Sequence, residues 1–350
     1  MIDKWRKIVS GEDRSHAGLL MLCVFIVLSC FYRFAVWLRN LLYDKGLLKI
    51  SKANHPVISV GNITAGGTGK TPLAIELCRL LVGKGYKPAV LTRGYASDSG
   101  FADEPEEIKL ACPSAEVFIN PDRAQAARNA ESNSECNVFI LDDGFQHRRL
   151  ARDLNIAAVD AGCPFGYSRL LPAGLLREPI KNISRADCIA VTKCETAGEK
   201  EIENIRNRIR SYNSSAPIAV LRQRFVCFRT LDGQTLKLRS LKDKRAFVFC
   251  GLANPESFLE NVTRSRIEIA GRRLFKDHHS YTAEDLELIL SDSSNSDIIV
   301  MTRKDFVKVS RIAEFSGWEE FRKKAGYFEL SLEFVDGFGR LEDLLNELGR

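Results

Sequence analysis

The chain has 350 residues, 45% hydrophobic and 27% charged, which excludes a disordered protein and leaves room for a core shared by two domains. A formal net charge of +6 is too small to indicate nucleic-acid binding, and it suits an anionic membrane or substrate equally well. Ten cysteines without a C-x-x-C pair or a zinc-ligand spacing favour reduced thiols in a cytosolic setting.

An apolar segment lies near the start of the chain. Residues 17–32 carry no charge over 16 positions, and after Arg33 the apolar stretch continues to Leu38, for 22 residues in all. Sixteen helical residues cover about 24 Å and 22 residues about 33 Å, against roughly 30 Å of bilayer core. A cleaved signal peptide is one alternative, but Tyr32-Arg33-Phe34 is not a small-residue cleavage site. A buried core helix is the other alternative, although few helices of globular proteins are apolar on all faces at the very start of a chain. We predict a membrane anchor over residues 1–52, including a basic connector.

A glycine-rich loop follows the first predicted strand. Residues 57–62 are mostly apolar, and an apolar helix is predicted over 72–82. In a phosphate-binding loop, backbone N–H groups contact phosphate oxygens, a lysine reaches the outer phosphates, and the next hydroxyl binds Mg²⁺. The spacing departs from G-x-x-x-x-G-K at Thr64, and a turn without a ligand is the alternative. The predicted nucleotide-binding residues are Thr64, Ala65, Gly66, Gly67, Thr68, Gly69, Lys70 and Thr71.

Short apolar runs alternate with helical segments after this loop. Strands are predicted over 88–92, 138–141, 156–159, 188–192 and 217–221, with helices over 121–131 and 199–212. Short apolar strands without alternation are typical of parallel sheets that are buried on both faces. The pattern predicts a P-loop NTPase-like α/β fold with a doubly wound, mostly parallel sheet over residues 53–222.

Two carboxylates end the strand at 138–141. Asp142 and Asp143 would lie at the same sheet edge as the glycine-rich loop, because the carboxyl ends of parallel strands meet there. We predict that Thr71, Asp142 and Asp143 hold Mg²⁺, with one aspartate facing the metal and the other positioning loops or substrate. Two helix-capping aspartates are the alternative.

The composition changes after residue 222. Residues 223–245 combine β-like pieces with basic residues, and we predict an inter-domain linker there. A smaller α/β domain over 246–350 follows, with strands at 246–250 and 298–302, a helix capped by Thr282 and a terminal helix over 341–348.

The segment L-D-D-G-F-Q-H-R-R-L-A-R-D at 141–153 resembles the tetraacyldisaccharide 4′-kinase (lipid A 4′-kinase) family. Further matches follow in order along the chain, and one departure is Arg303, where the family more often has an acidic residue. The matching segments are residues 60–72, 92–95, 103–105, 171–179, 277–279 and 301–308.

The resemblance implies a lipid A (lipopolysaccharide) biosynthesis kinase that uses ATP and Mg²⁺. Its substrate would be a membrane glycolipid, the tetraacylated glucosamine disaccharide 1-phosphate, which receives the γ-phosphoryl group on its 4′-hydroxyl. The enzyme would be a peripheral or monotopic protein of the inner membrane with its active site on the cytoplasmic side. No nucleic acid and no obligate protein partner are expected.

The resemblance also assigns catalytic roles. It implies that Asp103 is the catalytic base, assisted by His278 from the second domain and with His279 as the weaker candidate. Lys70 of the glycine-rich loop is the third predicted catalytic residue. A carboxylate with a pKa near 4 acts by orienting the sugar hydroxyl and receiving its proton late. Five arginines are candidates for contacts with phosphate: Arg123, Arg148, Arg149, Arg169 and Arg177.

A membrane-associated nucleotide switch is the rival function. The glycine-rich loop resembles that of dimer-forming P-loop ATPases, but Ala65 replaces their first lysine. Negligible nucleotide hydrolysis without a lipid acceptor would favour the kinase.

Overall fold

The structure is a computed structural model that describes residues 2–94, 103–252, 255–277, 279–312 and 315–348. Most of this chain forms an α/β fold, as predicted. The strands are β1 (Val57–Asn62), β2 (Pro88–Thr92), β3 (Glu116–Ile119), β4 (Val138–Asp142), β5 (Leu154–Asp160), β6 (Cys188–Thr192), β7 (Ile218–Thr230), β8 (Thr235–Lys237), β9 (Arg245–Cys250), β10 (Glu268–Leu274), β11 (Ile298–Met301) and β12 (Ala325–Asp336). The helices are α1 (Ile2–Ser10), α2 (His16–Asp44), α3 (Lys70–Gly83), α4 (Asp103–Ala111), α5 (Arg123–Asn133), α6 (Glu199–Arg210), α7 (Glu256–Arg264), α8 (Ala283–Asp292), α9 (Arg303–Val309), α10 (Trp318–Lys324) and α11 (Phe338–Asn346).

The first compact unit contains the glycine-rich loop and a parallel sheet. Its strands lie in the order β7-β6-β5-β1-β4-β2-β3, and every described pair among them is parallel. Alanines of α5 pack with β4, whereas isoleucines of α6 pack with β5 and β6 in a separate cluster. Strand β1 therefore lies in the middle of a doubly wound sheet, which confirms the predicted fold class.

The second compact unit is smaller. Its strands β10, β9, β11 and β12 pair in parallel in that order, and β8 pairs antiparallel with β7. Thr282 caps α8 with the reciprocal hydrogen bonds predicted from its spacing to Asp285. A hydrophobic cluster of β9, β11 and α7 residues forms its core.

The division of the chain differs from the predicted boundaries. The first unit comprises residues 1–93, 114–223 and 332–350, and the second comprises 94–113 and 224–331. The segment 223–245, predicted as a linker, instead contains the second half of β7 and all of β8. Phe225 and Phe228 of this segment pack into a hydrophobic cluster, whereas Arg224 and Arg229 are exposed. The two phenylalanines are three residues apart, so the segment lacks the two-residue period by which a strand is identified in a sequence.

Helix α2 is the apolar helix near the start of the chain. Within the described residues it is the one helix long and apolar enough to cross a membrane, with a mean hydropathy of 2.4 over a window that is only 11% buried. Ser15 caps its first turn by accepting a hydrogen bond from the Gly18 backbone N–H at 3.0 Å. Its low burial rules out a core helix, and such a helix can mediate membrane association.

Candidate active site

The glycine-rich loop connects β1 to α3, as predicted. Gly66 and Gly69 have φ values of +113° and +75°, a region that side chains other than glycine rarely adopt. Gly69 is also the N-cap of α3 and brings no side chain to cover the first backbone N–H groups of the helix. Lys70 and Thr71 are the first two residues of α3. The loop therefore presents a helix N-terminus, which favours the binding of phosphate.

Buried side chains fix the shape of this loop from inside. Thr68 is only 3% exposed, and its hydroxyl accepts a hydrogen bond from Asn62 Nδ2 at 2.7 Å. The Thr192 hydroxyl donates to the Thr68 carbonyl oxygen at 2.8 Å from the carboxyl end of β6. Lys193, the next residue, donates through Nζ to the Gly67 carbonyl and forms an ion pair with Asp160 at 2.9 Å. Sequence reasoning missed these supports, because they depend on which strand lies beside β1.

The segment 171–179 lies along the other side of the loop. Ala65 N–H donates to the Leu175 carbonyl at 2.6 Å, and Arg177 N–H donates to the Ile63 carbonyl at 2.7 Å. These bonds flank an antiparallel bridge between Thr64 and Leu176. The pairing places Arg177 at the start of the phosphate-binding loop.

The two aspartates lie at the carboxyl edge of the sheet, next to the loop. Asp142 ends β4, is 3% exposed, and has Val60 of β1 as its register partner. Asp143 follows with a φ of +51°, and its N–H donates to Asp142 Oδ1 at 3.0 Å. Lys70 Nζ lies 3.6 Å from Asp143 Oδ1. The predicted meeting of lysine and carboxylate at one sheet edge is therefore present.

Arg177 is the second cation on Asp143. Its Nη1 donates to both carboxylate oxygens of Asp143, at 2.9 and 2.8 Å. Burial acts to raise the pKa of Asp143, but Lys70 and Arg177 together outweigh it and hold this pKa below its usual value. Asp143 is therefore ionised at neutral pH, and these contacts are not those of a helix cap.

Two glycines let the segment after Asp143 cross β1 at close range. A Cβ on Gly61 would lie 2.3 Å from the Phe145 backbone nitrogen, and one on Gly144 would lie 2.6 Å from Ser59 Oγ. Gln146 Nε2 then donates to the Asn62 carbonyl at 2.7 Å. The segment thus fixes the two aspartates against the strand that leads into the loop.

The donor set at this edge suits magnesium. The hydroxyl of Thr71 and the carboxylates of Asp142 and Asp143 offer only oxygen atoms, which Mg²⁺ prefers. Within the described ranges there is no group of three or more histidine, cysteine or acidic residues that could cage a metal. Mg²⁺ does not need such a cage, since it keeps several waters and binds substrate phosphates.

The other candidate arginines have different surroundings. Arg123 is 6% exposed at the start of α5, and its charge acts on Asp143. Arg148 Nη2 lies 2.7 Å from Asp44 Oδ1 of α2, and Arg149 Nη1 lies 3.3 Å from Asp122 Oδ2. Arg169 is exposed. Of the five, Arg177 directly contacts a predicted metal ligand, and Arg123 is close enough to influence it.

The structure describes the predicted base only in part. Asp103 is the first residue of α4, its side chain is outside the described part, and His278 lies outside the described residues. Asp103 belongs to the second unit, as do Asp277 and His279 on either side of His278, whereas we predicted that the base and its partner come from different domains. His279 Nε2 lies 3.0 Å from Asp285 Oδ2, and its ring stacks on Phe275 at 4.5 Å. These contacts give His279 a structural role at the start of α8.

Arg303, the departure from the family pattern, begins α9. It is 8% exposed, its guanidinium lies 5.5 Å from the centre of the Tyr327 ring, and its Nε and Nη2 have no hydrogen-bond partner among the described residues. Burial raises the pKa of Glu107 on α4, and Arg303 opposes this. Helices α4 and α9 pack against each other, so Arg303 faces the helix that begins at Asp103.

The comparisons agree on one family. A model of the tetraacyldisaccharide-1-P 4′-kinase (LpxK) family matches residues 21–348. The tetraacyldisaccharide 4′-kinase of Geobacter sulfurreducens is 35% identical over 87% of this chain and 89% of its own. That of Bdellovibrio bacteriovorus is 34% identical over 92% of this chain and 98% of its own. The crystal structure of the "apo" form of LpxK from Aquifex aeolicus in complex with ATP superposes with a TM-score of 0.74 at 28% identity, covering 93% of this chain and 98% of that one.

Proposed function

Because the chain belongs to the tetraacyldisaccharide-1-P 4′-kinase family, we propose that it transfers the γ-phosphoryl group of ATP to the 4′-hydroxyl of tetraacyldisaccharide 1-phosphate in lipid A biosynthesis. The observation that carries this proposal is the Lys70–Asp143 pair at the start of α3, inside a chain that matches the family over most of its length. A P-loop lysine beside a strand-end carboxylate is the arrangement that phosphoryl transfer uses.

Nucleotide binding rests on the loop from Thr64 to Thr71. Its backbone N–H groups would contact the phosphate oxygens, and Lys70 would follow the γ-phosphoryl group during transfer. The hydrogen bonds of Asn62 and Thr192 fix the shape of the loop through contacts within the protein. Such preorganisation stabilises the transition state without a reorganisation cost.

Magnesium would be held by Thr71, Asp142 and Asp143. When bound, the ion neutralises the charge that develops on the phosphate oxygens. We assign the closer position to Asp142, since both oxygens of Asp143 already accept hydrogen bonds from Arg177. Asp143 would lie farther from the ion and would also set the positions of Lys70 and Arg177.

The proton of the sugar hydroxyl would pass to Asp103. The 4′-oxygen forms a bond to the γ-phosphorus, the bond from that phosphorus to the β–γ bridging oxygen breaks, and ADP leaves with the bond electrons. The Asp103 carboxylate takes the hydroxyl proton late in this step, and His278 holds the carboxylate in place. This assignment rests on the family match of residues 103–105 and 277–279.

The acyl chains of the substrate require a site at a membrane surface. Helix α2 exposes a row of large apolar side chains, including 69% of Leu20 and 68% of Phe31. We propose that this row enters the inner membrane from the cytoplasmic side and keeps the site at the headgroup plane. Anchoring would bring the enzyme and its glycolipid into the same two-dimensional phase.

The test uses the purified full-length protein, γ-labelled ATP and tetraacyldisaccharide 1-phosphate in detergent. We expect label in the glycolipid, dependence on Mg²⁺ and little ATP hydrolysis without acceptor. A chelator should stop transfer, and added Mg²⁺ should restore it. Fast hydrolysis that ignores the glycolipid would instead favour the nucleotide switch.

A further inference from the structure

Helix α2 has two different sides in its second half. One side is apolar and exposed, with 68% of Phe31, 59% of Phe34 and 49% of Trp37 accessible. The other side carries Tyr32, which packs against a buried cluster of the first unit, and Asn40, which is 9% exposed. The helix proposed to enter the membrane is therefore also part of the protein body.

A buried carboxylate holds this second side. Glu178 is 0% exposed. Its Oε1 lies 2.9 Å from Arg39 Nη2, and its Oε2 lies 2.7 Å from Arg185 Nη2. Asn40 and Asn182 also donate to it, at 3.2 and 2.6 Å. Both oxygens of this buried carboxylate accept hydrogen bonds, and its partners have a defined geometry because displacing one would leave buried negative charge with less compensation. Helix α2 is thus fixed to the residue that follows Arg177.

Arg177 itself is held from two directions. The Tyr32 hydroxyl donates to the Arg177 carbonyl oxygen at 2.9 Å, and the Arg177 N–H donates to the Ile63 carbonyl at 2.7 Å. Its guanidinium then contacts Asp143, which lies 3.6 Å from Lys70. A continuous series of contacts therefore runs from the anchor helix to the phosphate-binding lysine.

We propose that Tyr32 is a positioning residue for phosphoryl transfer, and that it acts through Arg177. Its hydrogen bond, together with the contacts of Glu178, sets the backbone at residue 177, so that the guanidinium meets Asp143 in the geometry that orients Lys70. Helix α2 then contributes to turnover as well as to membrane attachment. The inference rests on the proposed role of Asp143 and Lys70 in the transfer reaction.

The first experiment compares two changes on the same helix. Tyr32→Phe keeps the packed ring and removes the hydroxyl that contacts Arg177, and Tyr43→Phe makes the same change eleven residues later, where the ring lies under Arg148. For Tyr32→Phe we expect kcat to fall roughly 3- to 10-fold, the effect of one lost hydrogen bond. The KM for glycolipid and the membrane-bound fraction should stay as in the parent, and Tyr43→Phe should match the parent in kcat. A Tyr32→Phe variant with parental kcat would overturn the proposal.

The second experiment asks whether the effect passes through Arg177. Arg177→Lys keeps a charge on a side chain that is one bond shorter, which weakens the contact of Nη1 with the two Asp143 oxygens, and we expect it to lower kcat and to change the Mg²⁺ concentration needed for half-maximal rate. Adding Tyr32→Phe to Arg177→Lys should then cost less than 2-fold, because residues that act as a unit are not additive. Full multiplication of the two losses would contradict the proposal. If Arg177→Lys retained parental kcat and Mg²⁺ dependence, this inference would fail, while transfer to the glycolipid would remain as evidence for the proposed function.

Discussion

Lys70 Nζ lies 3.6 Å from Asp143 Oδ1; Lys70 begins the helix that follows β1, and Asp143 directly follows β4, the strand that pairs with β1. Neither side chain is fully buried, with exposed fractions of 12% for Lys70 and 18% for Asp143, so a ligand can still reach the lysine. A lysine that a carboxylate holds in place is a preorganised cation, and it costs little to reorganise during the reaction.

Lys70→Ala should reduce phosphate transfer by a factor of about 10² or more, because it removes the cation that accompanies the migrating phosphoryl group. The measurement is turnover with saturating glycolipid. Lys84→Ala, at the other end of α3 and paired with Glu342 at 2.9 Å, is the matched control and should retain parental turnover. Near-normal turnover of Lys70→Ala with unaltered ATP dependence would contradict the assignment of the loop.

Asp142→Asn and Asp143→Asn should differ in their response to magnesium. If Asp142 lies closer to the ion, Asp142→Asn should need more Mg²⁺ for half-maximal rate, and excess Mg²⁺ should recover part of its turnover. Asp143→Asn leaves Lys70 and Arg177 without their shared anion, so its turnover should fall at every Mg²⁺ concentration. Titration of both variants with Mg²⁺ decides this, and the reverse pattern would exchange the two roles.

The low pKa of Asp143 also limits how this residue can contribute to the pH dependence of activity. A carboxyl whose pKa is depressed in the folded state contributes stability above its unfolded pKa, and this contribution disappears as the pH falls through the folded value. Asp143 is therefore ionised throughout the neutral range. Any loss of activity between pH 7 and 5 should have another cause, and it should persist in Asp143→Asn.

Some of these relationships could be predicted from the sequence. The loop and the aspartates lie close together because parallel strands bring their carboxyl ends to one edge, a rule that needs only the order of strands and helices. The contact of Arg177 with Asp143 could not be predicted in this way. Residues 161–187 connect β5 to β6 mostly through irregular backbone, and neither 2-residue nor 3.6-residue periodicity shows where such a segment lies.

The supports of the loop and the division of the chain were also beyond sequence reasoning. Thr192 and Thr68 are 124 residues apart, and their contact depends on the strand order of the folded sheet.

Strand β12 and helix α4 were missed for a different reason. The run from Ala325 to Asp336 mixes partly exposed and buried positions, and α4 is short and carries four acidic residues. Both segments therefore lack a clear apolar pattern.

His147 should make the protein less stable in acid. Burial is the largest cause that lowers the pKa of His147, followed by the charges of Arg123 and Arg152, and together they bring this pKa from 6.5 to about 4. The unfolded chain takes up this proton near pH 6.5 and the folded protein only near pH 4, so stability falls as the pH drops between these values. His147→Gln removes this dependence, worth about 1–3 kcal/mol at the acid end.

The measurement is the Tm of parent and variant at pH 7 and at pH 4.5. The Tm of His147→Gln should fall less on acidification than that of the parent. His16→Gln, at the exposed start of α2, is the matched control and should follow the parent. Equal falls for all three proteins would mean that His147 is not responsible.

Membrane attachment should depend on the exposed side of α2. Deletion of residues 1–38 should release the protein from membranes and weaken its apparent affinity for glycolipid more than for ATP, since the row of apolar side chains is lost. A finer change, Leu20→Ser with Phe31→Ser, keeps Tyr32 and should release the protein from vesicles with little change in kcat in detergent. Flotation with anionic vesicles measures attachment, and an unchanged bound fraction after deletion would place the attachment in the rest of the protein.

The proposed pair Asp103 and His278 gives the sharpest prediction about the chemical step. Asp103→Ala and His278→Ala should each lower turnover with little change in ATP affinity, because both residues act on the sugar hydroxyl and not on the nucleotide. If the two act as one unit, the double variant should be hardly worse than the poorer single variant.

His279→Ala is the matched control for this cycle, one position from His278 and already engaged with Asp285. We expect it to affect the stability of the start of α8 more than turnover, since it removes a contact with the carboxylate that completes the capping box. The measurement is turnover of all four variants across pH, with Tm determined alongside. Greater damage from His279→Ala than from His278→Ala would move the partner of Asp103 by one position. Fully multiplied losses for Asp103 and His278 would show that the two residues act independently.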